Sequence, residues 1–313
     1  MLDQSFDADH HRVVLTLAGT ELLDGVFASV AAAVESIDLR SHTGVHPRRG
    51  AADVVPIVPL GSATLAEAAL LARELGERIW SELRVPVHFY GAAGSGSTLA
   101  QIRSPNPPPF DLGDLPHPSA GVVSVGAREP LVAYNLLLAG VSAAEASGVA
   151  GRLRESAGGV RGVQALVFAV AGGTQLSMNL TRVRETTPAR ARDAALRRLP
   201  AGGAIVSEEI VGLCPASAAA GCPAADGLLL EARLAAAACR AAAGLTASKE
   251  LASRLEVEAV SLAGLGYADV LAGALRADAL RSLLRSEGIV REELDEMLRV
   301  AELGFRSALG QGG

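Results

Sequence analysis

Apolar positions recur with two different periods over the first two hundred residues. Residues 12–18, Arg-Val-Val-Leu-Thr-Leu-Ala, read as a strand. Leu22, Leu23, Val26, Phe27, Val30 and Val34 then share one face of a helix for which Thr20 is the expected cap. Residues 53–60 return to strand character, with Pro56 and Pro59 pointing to a sheet edge or strand end. Thr64 and Glu67 form a capping box opening a helix to about Leu83, and residues 85–90 make the next strand. Periodicity fails over 91–118, where Gly91, Gly94 and Gly96 precede a Ser-Pro-Asn-Pro-Pro-Pro run, so this stretch reads as a linker or mobile flap.

A second alternating series begins at Gly121. Strands are expected at 121–128 and 131–138, a short helix follows Ser142 and Glu145, and residues 163–170 and 174–180 form a hairpin. Thr187-Pro188 places an N-cap before a proline at the first helical position, and 204–207 is a short strand before the run from Glu208 to Pro215. Hairpins mixed with crossover helices suggest two ferredoxin-like α+β layers. Beyond 217 strand signals vanish. Ala- and Leu-rich segments at 226–243, 248–263, 267–287 and 290–308 carry helical patterns, an extension expected to pack on the α/β body or on the second copy of a homodimer.

One stretch breaks the apolar pattern: Asp38-Leu-Arg-Ser-His-Thr-Gly-Val-His-Pro-Arg-Arg-Gly50. A polar loop between apolar elements is a common mounting for functional side chains. His46 can give and take a proton near neutral pH, Pro47 favours extended backbone at His46, and Arg48 and Arg49 can hold carboxylates. From the residues alone, a catalytic loop and a solvated loop both stand. His42 and His46 are four apart, but Gly44 and Pro47 oppose the helix that would make them a metal pair, so no metal is expected.

Composition narrows the classes. Half of the 313 residues are hydrophobic, a fifth are charged, and the net charge is −6, which opposes general nucleic-acid binding. Every basic residue except Lys249 is arginine. No run reaches the roughly 20 uncharged apolar residues of a membrane span, and the first residues lack a signal-peptide pattern, so a cytoplasmic protein is expected. Cys214, Cys222 and Cys239 have no metal-like spacing and read as structural thiols.

The pattern Asp38-Leu-Arg-x-His-x-Gly-x-His-Pro-Arg-x-Gly-Ala-x-Asp-Val-x-Pro resembles the signature of the glutamate formimidoyltransferase (formiminotransferase) family. The run from Asp7 to Arg12, the segment from Ala120 to Glu129, the Gly-Gly of 158–159, the strand from Gln175 to Leu180 and the run from Glu209 to Pro215 resemble the family in the same order. The resemblance implies two formiminotransferase subdomains, here 1–92 (truncated) and 119–216, joined by 93–118 and followed by a helical extension at 217–313. It implies transfer of a formimino or formyl group between N-formimino-L-glutamate and tetrahydrofolate, a step of histidine degradation, with no metal and with the ligands in a tunnel between the subdomains. Same-chemistry transfer from another amine, or folate binding without catalysis, are the alternatives.

The family's acid–base histidine falls on His46. Arg48 and the segment Ala120, Gly121, Val122, Val123, Ser124, Val125, Gly126, Ala127, Arg128 and Glu129 are the implied substrate or folate contacts. Asp38, Arg40 and Asp53 are expected to support the loop, with Asp38 pairing to Arg40 or Arg48. The chain departs from the family's pattern in three places. Its sequence starts after the usual first strand and helix, only Ile102-Arg103 remains of a basic-acidic segment, and Val45 and Arg49 replace a common glutamate and methionine. The helical tail shows no likeness to the cyclodeaminase partner, so deaminase activity is not expected.

Overall fold

The computed structural model describes residues 1–19, 22–45 and 48–310. In chain order its elements are β1 (Asp3–Asp7), β2 (Arg12–Thr16), α1 (Leu22–Ser36), β3 (Val54–Ile57), α2 (Leu65–Arg78), β4 (Val87–Gly91), α3 (Leu99–Ile102), β5 (Val123–Ala127), β6 (Val132–Ala139), α4 (Ala143–Leu153), β7 (Val163–Val170), β8 (Gly173–Leu180), α5 (Pro188–Leu196), β9 (Ala204–Val211), α6 (Leu230–Ala243), α7 (Lys249–Ala263), α8 (Val270–Ser286) and α9 (Glu292–Leu309). The class is mixed α and β, as expected.

Contacts divide the chain into two compact units: residues 7–12 with 19–130, and residues 1–6 and 13–18 with 131–313. In the first, β3, β5 and β4 form a parallel sheet in that order. β3 is an edge strand, which accommodates Pro56 without losing a ladder bond. Val55, Ile57, Val87, Phe89, Val123, Val125 and Ala127 alternate onto one face and pack with α1 and α2 into a core. Thr64 caps α2 reciprocally: its Oγ1 accepts from the Glu67 N–H at 3.2 Å, and the Thr64 N–H donates to Glu67 Oε2 at 2.7 Å. The Thr20 cap expected for α1 lies outside the described residues.

The first unit, read from the sequence as β-α-β-α-β, is built on a parallel sheet and so lacks the ferredoxin-like hairpin. Its three strands are parallel, and β1 and β2 form a separate two-stranded sheet. Residues 119–130, grouped by sequence with the second subdomain, are hydrogen-bonded into this unit, because β5 enters between β3 and β4. Nor does 93–118 behave as a free linker. Ile102 is fully buried, Asp111 Oδ2 accepts from the Phe89 N–H at 2.7 Å, and the Val87 N–H donates to the Leu112 carbonyl at 2.9 Å.

The second unit does carry the ferredoxin-like layout. Its order β-α-β-β-α-β from β6 to β9 makes an antiparallel sheet β7-β8-β6-β9, with α4 and α5 as crossovers. Ser142 and Thr187 cap the two helices as their sequences require. The short strand expected at 204–207 runs on to Val211 as β9. The extension is four helices, α6 to α9. Leu294, Leu298, Ala301, Phe305 and Ala308 form the buried stripe of α9, at spacings of three and four.

Candidate active site

The polar loop is built from local bonds first. Asp38 caps the short turn Leu39–Ser41, and its Oδ1 accepts from the Arg40 N–H at 3.0 Å and from Arg40 Nε at 2.8 Å. The guanidinium bonds hold this exposed carboxyl at about 2. Asp38 thus pairs with Arg40 and not with Arg48. The His42 ring stacks on His11 at 4.7 Å, and its Nε2 accepts from the Gly44 N–H at 3.1 Å. Partial burial, with Arg48 and His11 nearby, lowers the pKa of His42 and favours its neutral form.

Arg48 reaches back to the turn after β1, donating to the carbonyls of His10 and His11. His10 is itself tied to Asp7, with Nδ1 and Oδ2 2.6 Å apart. Asp53 collects the other end of the loop. Its Oδ1 accepts from the Arg49 N–H at 2.8 Å and its Oδ2 pairs with Arg103. Arg49 donates through Nη1 to the Ile102 carbonyl at 2.6 Å, so two arginines bind the loop to the end of α3. His46 and Pro47 lie outside the described residues.

The base of the loop crosses the residues leading into β5. Ala51 N–H donates to the Ala120 carbonyl and Val122 N–H to the Arg49 carbonyl, both at 2.9 Å. Gly121 has a φ of +69°, and a Cβ there would lie 2.1 Å from the Arg49 carbonyl oxygen. Glycine is therefore required by both conformation and space.

The expected contact segment divides by strand alternation. Val123, Val125 and Ala127 point into the helix-covered core with Ala120, whereas Ser124, Gly126 and Arg128 belong to the opposite row. Val122 is buried beside Gly50, and Glu129 is exposed. Register places His88 beside Ser124 and Tyr90 beside Gly126. A Cβ on Gly126 would strike the Tyr90 ring at 2.5 Å, so the missing side chain is the seat of that ring. Burial raises the Tyr90 pKa, and burial lowers that of Arg128 beside it.

His88 is 1% exposed, packs against Phe110 at 4.8 Å, and has a buried Nε2 without a hydrogen-bond partner among the described residues. Desolvation lowers its pKa, opposed by the nearby Asp111 carboxylate, which favours a neutral ring. Sequence reading passed over His88 and Tyr90 as strand residues. The signal was present in the alternation Val85, Val87, Phe89 against His88 and Tyr90, which gives this strand a polar face.

Charge accumulates here. Burial lowers the basicity of Arg48, and Arg12 and Arg103 add repulsion that only Asp53 offsets. Arg103 and Arg128 both act on Tyr90. Arg48 Nε and Arg103 Nε are buried without hydrogen-bond partners among the described residues. Guanidiniums held close together around one carboxylate suit an anionic ligand, which they can grip through paired N–H groups.

The family described as "Formiminotransferase domain, N-terminal subdomain" matches residues 1–128, which include every residue of this cluster. The chain is 36% identical over 242 residues to a glutamate formimidoyltransferase of Thermoplasma acidophilum, covering 70% of this chain and 79% of that protein. The chain belongs to the glutamate formimidoyltransferase family. The corresponding protein of Streptococcus pyogenes is 34% identical, covering 70% of this chain and 80% of its own. A formimidoyltransferase-cyclodeaminase of Rattus norvegicus aligns over the whole chain at 29% identity, and the match spans 60% of that protein. As a member of the formimidoyltransferase family the chain is a transferase enzyme. Among the described residues no helix is long and apolar enough to cross a membrane.

Proposed function

We propose that the enzyme transfers a formimino group from N-formimino-L-glutamate to N5 of tetrahydrofolate. The observation that carries this reading is the cationic cluster of Arg48, Arg103 and Arg128 with Tyr90 and Asp53, set in the part of the chain that matches the formiminotransferase subdomain. Relatives are named for glutamate and for the formimidoyl group, and a dicarboxylate donor is a natural guest for clustered guanidiniums.

The chemistry assigns work to the loop. N5 attacks the amidine carbon, giving a tetrahedral intermediate. The C–N bond to glutamate then breaks, and the departing amine takes up a proton while N5 gives one up. His46 is the residue proposed to carry both protons, since its ordinary pKa lies close to neutral pH. Arg48 and Arg103 are proposed to hold donor carboxylates, and Asp53 to hold Arg103 in place. Ser124 on the polar row of β5 and Arg128 just past its end are the proposed folate contacts within the segment Ala120–Glu129.

The test is incubation of the enzyme with tetrahydrofolate and N-formimino-L-glutamate, following the 5-formimino product by absorbance. Turnover is expected, and exchanging the donor for a formimino amine without carboxylates is expected to raise KM by about tenfold or more. No product with the glutamate donor rejects this substrate assignment. Turnover with another formimino amine alone establishes the same chemistry on a different donor.

A further inference from the structure

We propose that the second unit carries a separate binding site for a small anion bearing three or more negative charges. The site is a cleft of about 840 Å³ between α5 and the loops that flank β7 and β8. Its walls carry Arg161, Arg184, Arg190, Arg197 and Arg198. On a chain of net charge −6, this concentration of guanidiniums is local: Arg190 lies in the first turn of α5 and Arg197 is its C-cap residue, seven positions on.

The two acids in the lining do not neutralise it. Glu185 is engaged by Arg161, with Nε and Oε2 3.2 Å apart, and by Arg182 outside the cleft. Asp193 pairs with Arg192, also outside, at 3.6 Å. Arg190 and Arg198 donate to backbone carbonyls, those of Glu185 at 2.8 Å and Ala194 at 2.9 Å, which fixes the arginines without cancelling their charge. For Arg184 and Arg197 no ion pair is found among the described residues, and both are exposed. Arg192 is also held by Glu208 at 3.1 Å, so both lining acids count, and five arginines against two carboxylates leave three positive charges for a guest.

The cleft is also preformed. Thr186 is 4% exposed, and its hydroxyl donates to the Arg161 carbonyl at 2.7 Å, tying together the loops before β7 and before α5. Arg152 donates to the Arg198 carbonyl at 3.1 Å, so the far end of α5 is held as well. A guest therefore meets Arg190 and Arg198 already held by their carbonyl partners, which lowers the entropic cost of binding them. Among the described residues no aromatic side chain lines the cleft, which offers no surface there to stack a base or a pterin. The guest is compact and recognised by charge, as an oligophosphate or a tricarboxylate is, through bidentate guanidinium contacts.

Isothermal titration of the full chain with inorganic triphosphate, and separately with citrate, tests this. Saturable one-to-one binding is expected at low salt, weakening as salt is raised. Arg184→Ser combined with Arg197→Ser is expected to weaken it by at least about tenfold without moving Tm, because neither side chain holds the fold together. Triphosphate binding more tightly than citrate assigns the site to phosphates; equal affinities assign it to charge number alone. No saturable heat at about 1 mM of either anion, or affinity unchanged in the double variant, overturns the proposal. The unchanged double variant would place the anion at the Asp53 cluster instead.

Discussion

Glu231 offers a quantitative check on the helical extension. It sits in α6, 6% exposed, with Oε2 accepting from the Ala216 N–H at 2.8 Å. Its Oε1 lies where α6 meets α9, so close that a Cβ on Gly304 would fall 2.5 Å from it. Desolvation pushes this carboxyl up to about 7, against backbone bonds from Ala216 and from its own N–H that favour ionisation. The folded chain therefore keeps a proton that the unfolded chain releases near 4.5. Stability from this group is present below 4.5, is lost as pH rises towards 7, and is flat above. At about 1.4 kcal/mol per pH unit, the gap between 4.5 and 7 corresponds to about 3 kcal/mol. Glu231→Gln removes the titration and keeps the acceptor for Ala216. Urea unfolding at pH 5, 6, 7 and 8, followed by circular dichroism, should show the variant gaining on the wild type by about 3 kcal/mol across that range. Parallel pH dependences for the two proteins would refute the reasoning.

Other changes test the loop and the sheet face. Gly121→Ala is expected to cost more than about 2 kcal/mol, from the left-handed backbone and the clash with the Arg49 carbonyl, read as a lowered urea midpoint. Asp53→Asn loses the charge-assisted bond to Arg103 and should cost about 1–2 kcal/mol while raising KM for the donor. His88 has a lowered pKa, so the folded state resists its protonation, and the stability it allows is lost as pH falls below about 6.5. His88→Phe should flatten that acid limb; an unchanged limb in pH-dependent melting would show that His88 is not the group responsible.

Local signals were the most legible. The boxes at Thr64–Glu67 and Ser142–Glu145 and the Thr187-Pro188 start appear where the sequence puts them, because a cap depends on residues within one turn. Strand β1 escaped notice because Asp3, Gln4, Ser5 and Asp7 hide its alternation. The insertion of β5 between β3 and β4 could not be read locally, since parallel pairing joins segments far apart in the chain. Prolines at 105 and 107–109 imitate a linker, yet Asp111 and Leu112 lock the end of that segment to β4. For the site, composition alone marked the loop from Asp38 to Gly50 and its family pattern singled out His46. The Asp53–Arg103 pair and the His88–Ser124 row needed the fold, because their members are 50 and 36 residues apart.

The central assignment turns on the fate of one carbon. With N-formimino-L-glutamate labelled by ¹³C at the formimino carbon, the wild-type enzyme and tetrahydrofolate, NMR should show the label move to the folate amidine as free glutamate appears in equal amount. His46→Ala should leave the label on glutamate while tetrahydrofolate still raises Tm. A wild-type enzyme that leaves the label on glutamate, or releases it as formate without a folate adduct, would contradict the assignment.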